Sequence, residues 1–203
     1  MDISLVAALL NMDRAKQSVE THSQQGYWMV LNCQRASLLQ PQRLRLVTTT
    51  SISILRALPQ LWAQITQQFG TPHCREADGV LREVRICALG YGKLGGMELG
   101  YGSDLDLVFL HDSSGEQQET TGERPIDNQV FFVRLAQRIV HILTVHSAAG
   151  RLYEVDVRLR PSGKGGMLIT QLDAFCAYQR DEAWTWEHQA LLHARAVAGS
   201  AEL

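Results

Sequence analysis

Apolar residues recur at three- and four-residue intervals through the first part of the chain, the spacing that lines one face of a helix. Ile3, Val6, Leu9, Leu10 and Met12 predict a helix over residues 1–20. A second is predicted from Tyr27 to Leu39, ending ahead of Pro41, because a residue that precedes proline disfavours helical backbone. Leu55, Leu58, Leu61, Trp62, Ile65 and Phe69 make a third stripe; Pro59 either kinks or opens that helix, and Gly70 with Pro72 stops it.

After about residue 80 the pattern changes. Val84 to Leu89 reads as a strand interrupted by Arg85, and the run Gly90-Tyr91-Gly92-Lys93-Leu94-Gly95-Gly96 follows it. Leu105 to Leu110 is a second, strongly apolar strand. The polar stretch from Ser113 to Asn128, with Gly115, Gly122 and Pro125, predicts an exposed loop. A helix is predicted next, with Phe131, Leu135, Ile139, Ile142 and Leu143 on its apolar face and Arg134 and Arg138 off it. Leu152 to Leu159 alternates and reads as a third strand. Gly163, Gly165 and Gly166 mark a second flexible loop, and the last forty residues return to helical spacing. Residues 1–80 therefore form a helical lead-in, and residues 81–203 a mixed α/β (α+β) domain with a small sheet and flanking helices.

Composition narrows the class. In 203 residues, 19 basic side chains face 21 acidic ones, so the chain lacks the general positive field of a nucleic-acid binder, and no nucleic-acid partner is expected. Cys33, Cys74, Cys87 and Cys176 fall in no CxxC pair and read as reduced thiols. The Met1-Asp2-Ile3-Ser4 start lacks the positive region of a signal peptide, and no apolar run reaches the ~20 residues of a membrane span. A cytoplasmic protein without a membrane partner is expected.

The chemistry-bearing residues are acidic. Asp104 and Asp106 lie two apart, which in a strand places both carboxylates on one face. Adjacent like charges are costly unless a cation lies between them, and magnesium takes such hard oxygen ligands together with phosphate oxygens. Asp156 is the third member, in Tyr153-Glu154-Val155-Asp156-Val157-Arg158-Leu159-Arg160. Alternation puts Glu154, Asp156, Arg158 and Arg160 on one face, where Asp156 either joins the metal group or pairs with Arg158. A lone Asp-x-Asp is commonly a solvated strand edge; the glycine turn upstream and the third carboxylate favour metal binding here.

Gly90-Tyr91-Gly92-Lys93-Leu94-Gly95 matches GxGxxG, the dinucleotide fingerprint. That motif requires a crossover helix next, and only nine glycine-interrupted residues separate Gly95 from Leu105. A Walker A loop fails as well, because Lys93 is followed by leucine. The spacing from Gly92 to Ser103-Asp104-Leu105-Asp106 is similar to the polymerase-β-like nucleotidyltransferase pattern, in which glycine amides approach a triphosphate and carboxylates hold metal ions. Lys93 stands where that pattern has serine; it either pairs with phosphate as a point charge or is a solvated loop lysine.

The segments Gly90–Gly96, Glu98-Leu99, Ser103–Leu107, Tyr153–Asp156, Arg158–Gly163 and Glu182-Ala183-Trp184-Thr185-Trp186-Glu187-His188-Gln189-Ala190-Leu191 resemble the bacterial glutamine synthetase adenylyltransferases. The resemblance runs over residues 85–199, is weak over 31–84, and leaves 1–30 unplaced. It implies a polymerase-β-like nucleotidyltransferase fold, and the Tyr-Glu-Val-Asp and Trp-Thr-Trp-Glu-His segments imply the C-terminal, adenylylating half of a two-headed enzyme. The implied reaction moves AMP from MgATP to a tyrosine hydroxyl of glutamine synthetase and releases pyrophosphate. Asp104, Asp106 and Asp156 are then catalytic and hold two Mg2+ ions, with Asp156 serving the metal nearest the nucleophile or accepting the tyrosine proton. Gly92, Lys93, Gly95, Gly96, Ser103, Arg158 and Arg160 are the implied nucleotide and phosphate contacts, with a salt bridge from either arginine to Glu154 or Asp156 as the other reading. The PII signalling protein is an implied partner through regions beyond this chain. Phosphorolytic removal of AMP from the same target, or docking to glutamine synthetase without chemistry, are the rival functions. Trp184 and Trp186, two apart on a helix, cannot share a face, so at least one is expected in the core; His188 and His193 are read as structural.

Overall fold

The computed structural model describes Ile54 and residues 57–100, 102–147, 150–151 and 153–200. The two helices expected before residue 40, and Leu55 and Leu152, lie outside the described residues. The third expected helix is observed at residues 57–69 (α1), with Pro59 on an exposed position within it. Leu58, Leu61 and Ile65 are its buried face, as the spacing requires.

A central sheet follows from two apolar runs. Ile86–Gly90 (β3) and Leu105–His111 (β4) pair antiparallel, Cys87 opposite Leu110 and Leu89 opposite Val108. All of β3 and nearly all of β4 are buried, the signature of strands covered on both faces. One face carries Ile86, Ala88, Leu105, Leu107 and Phe109 against α1 and the long helix Asn128–Thr144 (α3). The other carries Cys87, Leu89, Val108 and Leu110 against Phe175 and Leu191, from helices Leu172–Asp181 (α4) and Thr185–Leu191 (α5). Burial also pushes the Cys87 thiol up to about 12, so it stays protonated and inert at neutral pH.

Strand β4 organises the rest. On its far edge it pairs in parallel first with Val155–Asp156 (β8) and then with Ile169–Gln171 (β9). Both ends of the intervening segment, residues 157–168, are thus pinned to one strand and its middle must arch outward. The other edge of the sheet is Arg195–Gly199 (β10), antiparallel to β3. A smaller sheet has the order β2-β1-β5, from Leu81–Glu83 (β2), Pro72–Arg75 (β1) and Glu116–Thr120 (β5). A short ribbon, His146–Ser147 (β6) with Gly150–Arg151 (β7), follows α3.

Several elements differ from expectation. The predicted loop 113–128 contains β5, and it ends on Asn128, which is buried and opens α3. Strand β5 pairs through its backbone while four of its five side chains are exposed, so it leaves no apolar alternation to read. The stretch read as helical up to residue 80 holds strand β1, whose alternate residues Pro72 and Cys74 are buried. Strand β3 starts two residues later than predicted, because Arg85 turns outward to Asp112. Ile142 is an exposed residue of α3, while Phe132 and Ala136 complete its buried face. The predicted strand 152–159 shrinks to β8, and the last forty residues hold β9 and β10 besides helices.

The two sheets meet at a charged joint. Asp112, 8% exposed, accepts from the Arg85 amide at 2.7 Å and Nε at 2.8 Å, and pairs with Arg82 Nη1 at 3.0 Å. Truncation would remove the acceptor that all three share. Asp112→Ala is expected to lower stability by roughly 2–3 kcal/mol, read as a shift in the urea midpoint without a change in slope.

Candidate active site

The acidic group is built by register. Asp106 continues the Val108–Leu110 face of β4, and Asp104 lies two residues before it. Parallel pairing sets Asp156 of β8 directly opposite Asp106, and partners in a parallel ladder project to the same side. One carboxylate oxygen from each of Asp104, Asp106 and Asp156 then lies within 4.8 Å of the other two. Among the described residues this is the group of three or more acidic, histidine or cysteine side chains close enough to share a metal ion.

The glycine turn faces this group. Tyr91 donates its amide to the Asp106 carbonyl at 2.9 Å, which ties the turn to β4. Gly92–Gly95 (α2) is a single helical turn, too short for the crossover helix of a dinucleotide fold. Gly92 has φ of +50°, and a methyl group there would overlap Asp106 Oδ2. A methyl on Gly95 would meet the carbonyl oxygens of His193 and Gly90. Glycine is therefore required on both sides of the turn, toward the carboxylate and toward β10. Within the turn the Gly95 amide donates to the Tyr91 carbonyl and the Gly96 amide to that of Gly92, both at 2.9 Å, and Lys93 is its exposed residue.

The charges around the cluster are unequal. Burial, then the charges of Asp104 and Asp156, hold the Asp106 carboxyl above its usual range, partly offset by Lys93 and Arg158. Asp156 is held below its range, mainly by the Arg158 guanidinium. Arg158 donates its own amide to Asp156 Oδ1 at 2.8 Å and Nε to Oδ2 at 2.7 Å, and Nη2 closes the ion pair. The local fold is a turn that folds Arg158 back onto Asp156, not an extended strand.

Sequence-derived site residues thus divide. Asp104, Asp106, Asp156, Gly92 and Lys93 come together, Lys93 exposed and close enough to bias Asp106. Gly95 and Gly96 complete the turn, although Gly95 also packs against the His193 backbone. Ser103 is engaged locally: its hydroxyl accepts from the Gly100 amide at 3.2 Å and closes the approach to β4. The structure brings Arg158 to Asp156, the ion-pair reading. Arg160 braces its own loop, donating to the carbonyls of Val157, Lys164 and Gly166. Both arginines still line the open cleft that contains Asp104 and Asp156. Sequence reasoning missed Lys164, which lines the same cleft and also helps lower Asp156. Its signal was available: a lysine between Gly163 and Gly165 on an otherwise small-residue turn. His188 is occupied structurally, its Nε2 donating to the Gln179 carbonyl at 2.6 Å. Both Trp184 and Trp186 are exposed, contrary to expectation, because α5 buries Glu187 and Leu191 instead.

Three carboxylates beside a glycine turn, in a cleft that also carries Arg158, Arg160 and Lys164, suit metal-dependent phosphate chemistry. The family model described as glutamate-ammonia ligase adenylyltransferase matches residues 40–203. The chain belongs to that family. The bifunctional glutamine synthetase adenylyltransferase/adenylyl-removing enzyme of Thioalkalivibrio sulfidiphilus (strain HL-EbGR7) is 58% identical over 148 residues, 73% of this chain and 15% of the relative. That of Hahella chejuensis (strain KCTC 2396) is 53% identical over 146 residues, 72% of this chain and 15% of the relative. The chain therefore spans about 15% of the length of the curated relatives it matches. Family membership implies a nucleotidyltransferase fold, and the mixed sheet with flanking helices agrees with it. The acidic triad is consistent with the metal site of such enzymes. Among the described residues, no helix is long and apolar enough to cross a membrane.

Proposed function

We propose that this chain carries the nucleotidyl-transferring centre of the adenylylating, C-terminal half of a bifunctional enzyme, with a polymerase-β-like arrangement, and moves AMP from MgATP to a tyrosine hydroxyl of glutamine synthetase. The observation that carries the reading is the convergence of Asp104, Asp106 and Asp156 on one face, opposite the Gly92 turn. The donor set fits magnesium: three hard carboxylate oxygens, open to the solvent side where phosphate oxygens complete the shell. Bound there, two magnesium ions supply electrostatic stabilisation of the attacking and leaving oxygens.

The protein's own residues divide the remaining work. The Gly92–Gly95 turn, with the exposed Lys93, receives phosphate oxygens. Arg158, Arg160 and Lys164 supply positive charge on the opposite wall of the cleft. Arg158 is ion-paired to Asp156 and holds its carboxyl below the usual range. By the family resemblance Asp156 serves the metal nearest the nucleophile or accepts the tyrosine proton. A phenol of pKa ~10 needs such an acceptor to become a nucleophile at neutral pH.

The test is intact mass of unmodified glutamine synthetase subunits after incubation with the chain and MgATP. The expected result is addition of one AMP per modified tyrosine, absent with Asp104→Asn. Bound MgATP without added mass would favour a docking role. Loss of AMP from already modified subunits with phosphate, and no gain with ATP, would assign the chain to the opposite half.

A further inference from the structure

Strand β10 enters the sheet beside the glycine turn. Its first residue, Arg195, pairs with Gly90, the last residue of β3, and Gly90 pairs in turn with Leu107, the neighbour of Asp106. The register therefore brings the start of β10 to the same end of the sheet as the turn and the triad. Two contacts fasten it to the turn. Gly95 packs so closely on the His193 carbonyl that no side chain fits between them. Arg195 Nη2 donates to the Leu94 carbonyl, inside the turn, at 3.1 Å.

The surroundings of Arg195 suit a cation poorly. The side chain is partly buried, and its Nε is shut off from solvent without an acceptor. Arg82 and Arg85 share Asp112, and Arg158 has Asp156. Arg195 meets no carboxylate among the described residues, and burial lowers its pKa with no neighbouring negative charge to oppose the shift. A guanidinium stays protonated at neutral pH even so. A cation taken out of water without a counter-charge costs stability. Nor does its one partner depend on it, because the Leu94 carbonyl also receives the Met97 amide, at 3.4 Å. A charge that weighs on the fold, fixed against a turn, suits a ligand that brings negative charge to that turn. Partial burial also shields it from salt more than the exposed Lys93 on the same turn.

We infer that Arg195 is a positioning residue for the triphosphate: it holds the Gly92–Gly95 turn against β10 through the Leu94 carbonyl and supplies uncompensated positive charge behind it. It does not touch the reacting atoms. The inference rests on the nucleotidyl-transfer reading and adds a residue outside the motifs that suggested it. It separates two properties of the site. Metal affinity without nucleotide depends on Asp104, Asp106 and Asp156, which β4 and β8 place on the other side of the sheet order β10-β3-β4-β8. Phosphate affinity depends also on the charge that β10 carries.

The experiment measures MgATP and magnesium pyrophosphate binding by calorimetry, Mn2+ binding without nucleotide by electron paramagnetic resonance, and the urea midpoint, all on the full chain. Wild type is compared with Arg195→Met, which keeps an apolar stem and removes the charge, and with Arg195→Lys, which keeps the charge. Arg195→Met is expected to weaken MgATP and magnesium pyrophosphate alike by about tenfold, the effect of one charged contact, with Mn2+ affinity unchanged and a urea midpoint no lower than that of the wild type. Arg195→Lys is expected to stay within about threefold of the wild-type affinity, because the charge remains. Wild-type MgATP affinity in Arg195→Met would overturn the inference. Equal losses in Arg195→Met and Arg195→Lys would overturn it too, since charge would then not be the property that matters. A lowered urea midpoint with Mn2+ and MgATP binding lost together would reduce Arg195 to a structural contact. Failure of the wild-type chain to bind MgATP would instead remove the nucleotidyl-transfer reading beneath it.

Discussion

Asp106→Asn is expected to lower AMP transfer by about a thousandfold or more, while the metal-free chain becomes no less stable at neutral pH. The two effects have one origin. Asp106 is the most constrained member of the triad: half-buried in β4, between Asp104 and Asp156, with its carboxyl held above the usual range by burial and then by those two charges. A carboxyl raised in the folded state weighs against folding once ionised. That cost is absent below the unfolded pKa, grows as pH rises through the interval up to the folded pKa, and is complete above it. Asp156 has the opposite sign. Its carboxyl is depressed by Arg158, so its contribution stabilises above the unfolded pKa and is lost as pH falls through the folded value. On acidification Asp106 is therefore protonated before Asp156, an order that carboxyl NMR titration reads directly. Asparagine removes the Asp106 charge and its cost while keeping the shape. It also removes an anionic ligand, so Mg2+ should raise the urea midpoint of the wild type and leave that of Asp106→Asn nearly unchanged. Substantial magnesium-dependent transfer by Asp106→Asn would refute the assignment of the centre.

The contrast between β4 and β5 explains how much of this was legible. Strand β4 is apolar wherever it meets either core face, and the two acids at its start interrupt that pattern, so strand and site announce each other. Strand β5, Glu-Gln-Gln-Glu-Thr, is held by backbone pairing to β1 and looks like a loop in any reading based on side chains. Strand β10 is Arg-Ala-Val-Ala-Gly, in which alanines suit a helix as well as a strand; only its pairing to β3 decides.

The same division runs through the site. The carboxylates were legible because metal chemistry requires particular residue types at particular spacings. Alternation assigned Arg158 and Arg160 to one face of a long strand, but Asp156 accepts the Arg158 amide two residues on and turns the chain instead. This competition between a side-chain acceptor and the ladder is what makes aspartate a poor strand residue. The burial of Glu187 below two exposed tryptophans was not legible at all. It reverses the polarity rule for α5, and its reason lies in Tyr178, on a separate helix.

Gly92→Ala and Gly95→Ala, three residues apart, are expected to fail in opposite ways. At Gly92 the φ of +50° makes alanine strained by about 1 kcal/mol, a cost the fold tolerates. The added methyl, however, overlaps Asp106 Oδ2, the end of a side chain that can rotate away. Rotation relieves the overlap by taking the carboxylate out of the triad. Gly92→Ala should therefore remain folded, with a small drop in urea midpoint, while Mn2+ affinity and AMP transfer fall together by a hundredfold or so, the cost of misplacing a catalytic group by about an ångström. At Gly95 the methyl meets two backbone oxygens, those of His193 and Gly90, and neither can rotate away. Relief requires the turn to move off both the His193 backbone and β3. The expected loss is about 1–3 kcal/mol of stability, as in other overpacked sites. Metal affinity should be retained in whatever fraction stays folded, because the Asp106 carboxylate is not the group displaced. Denaturation midpoints and Mn2+ titrations on the two variants give four numbers. A Gly92→Ala variant that keeps wild-type metal affinity would show that the glycine turn does not share a site with Asp106, whatever the stability of either protein.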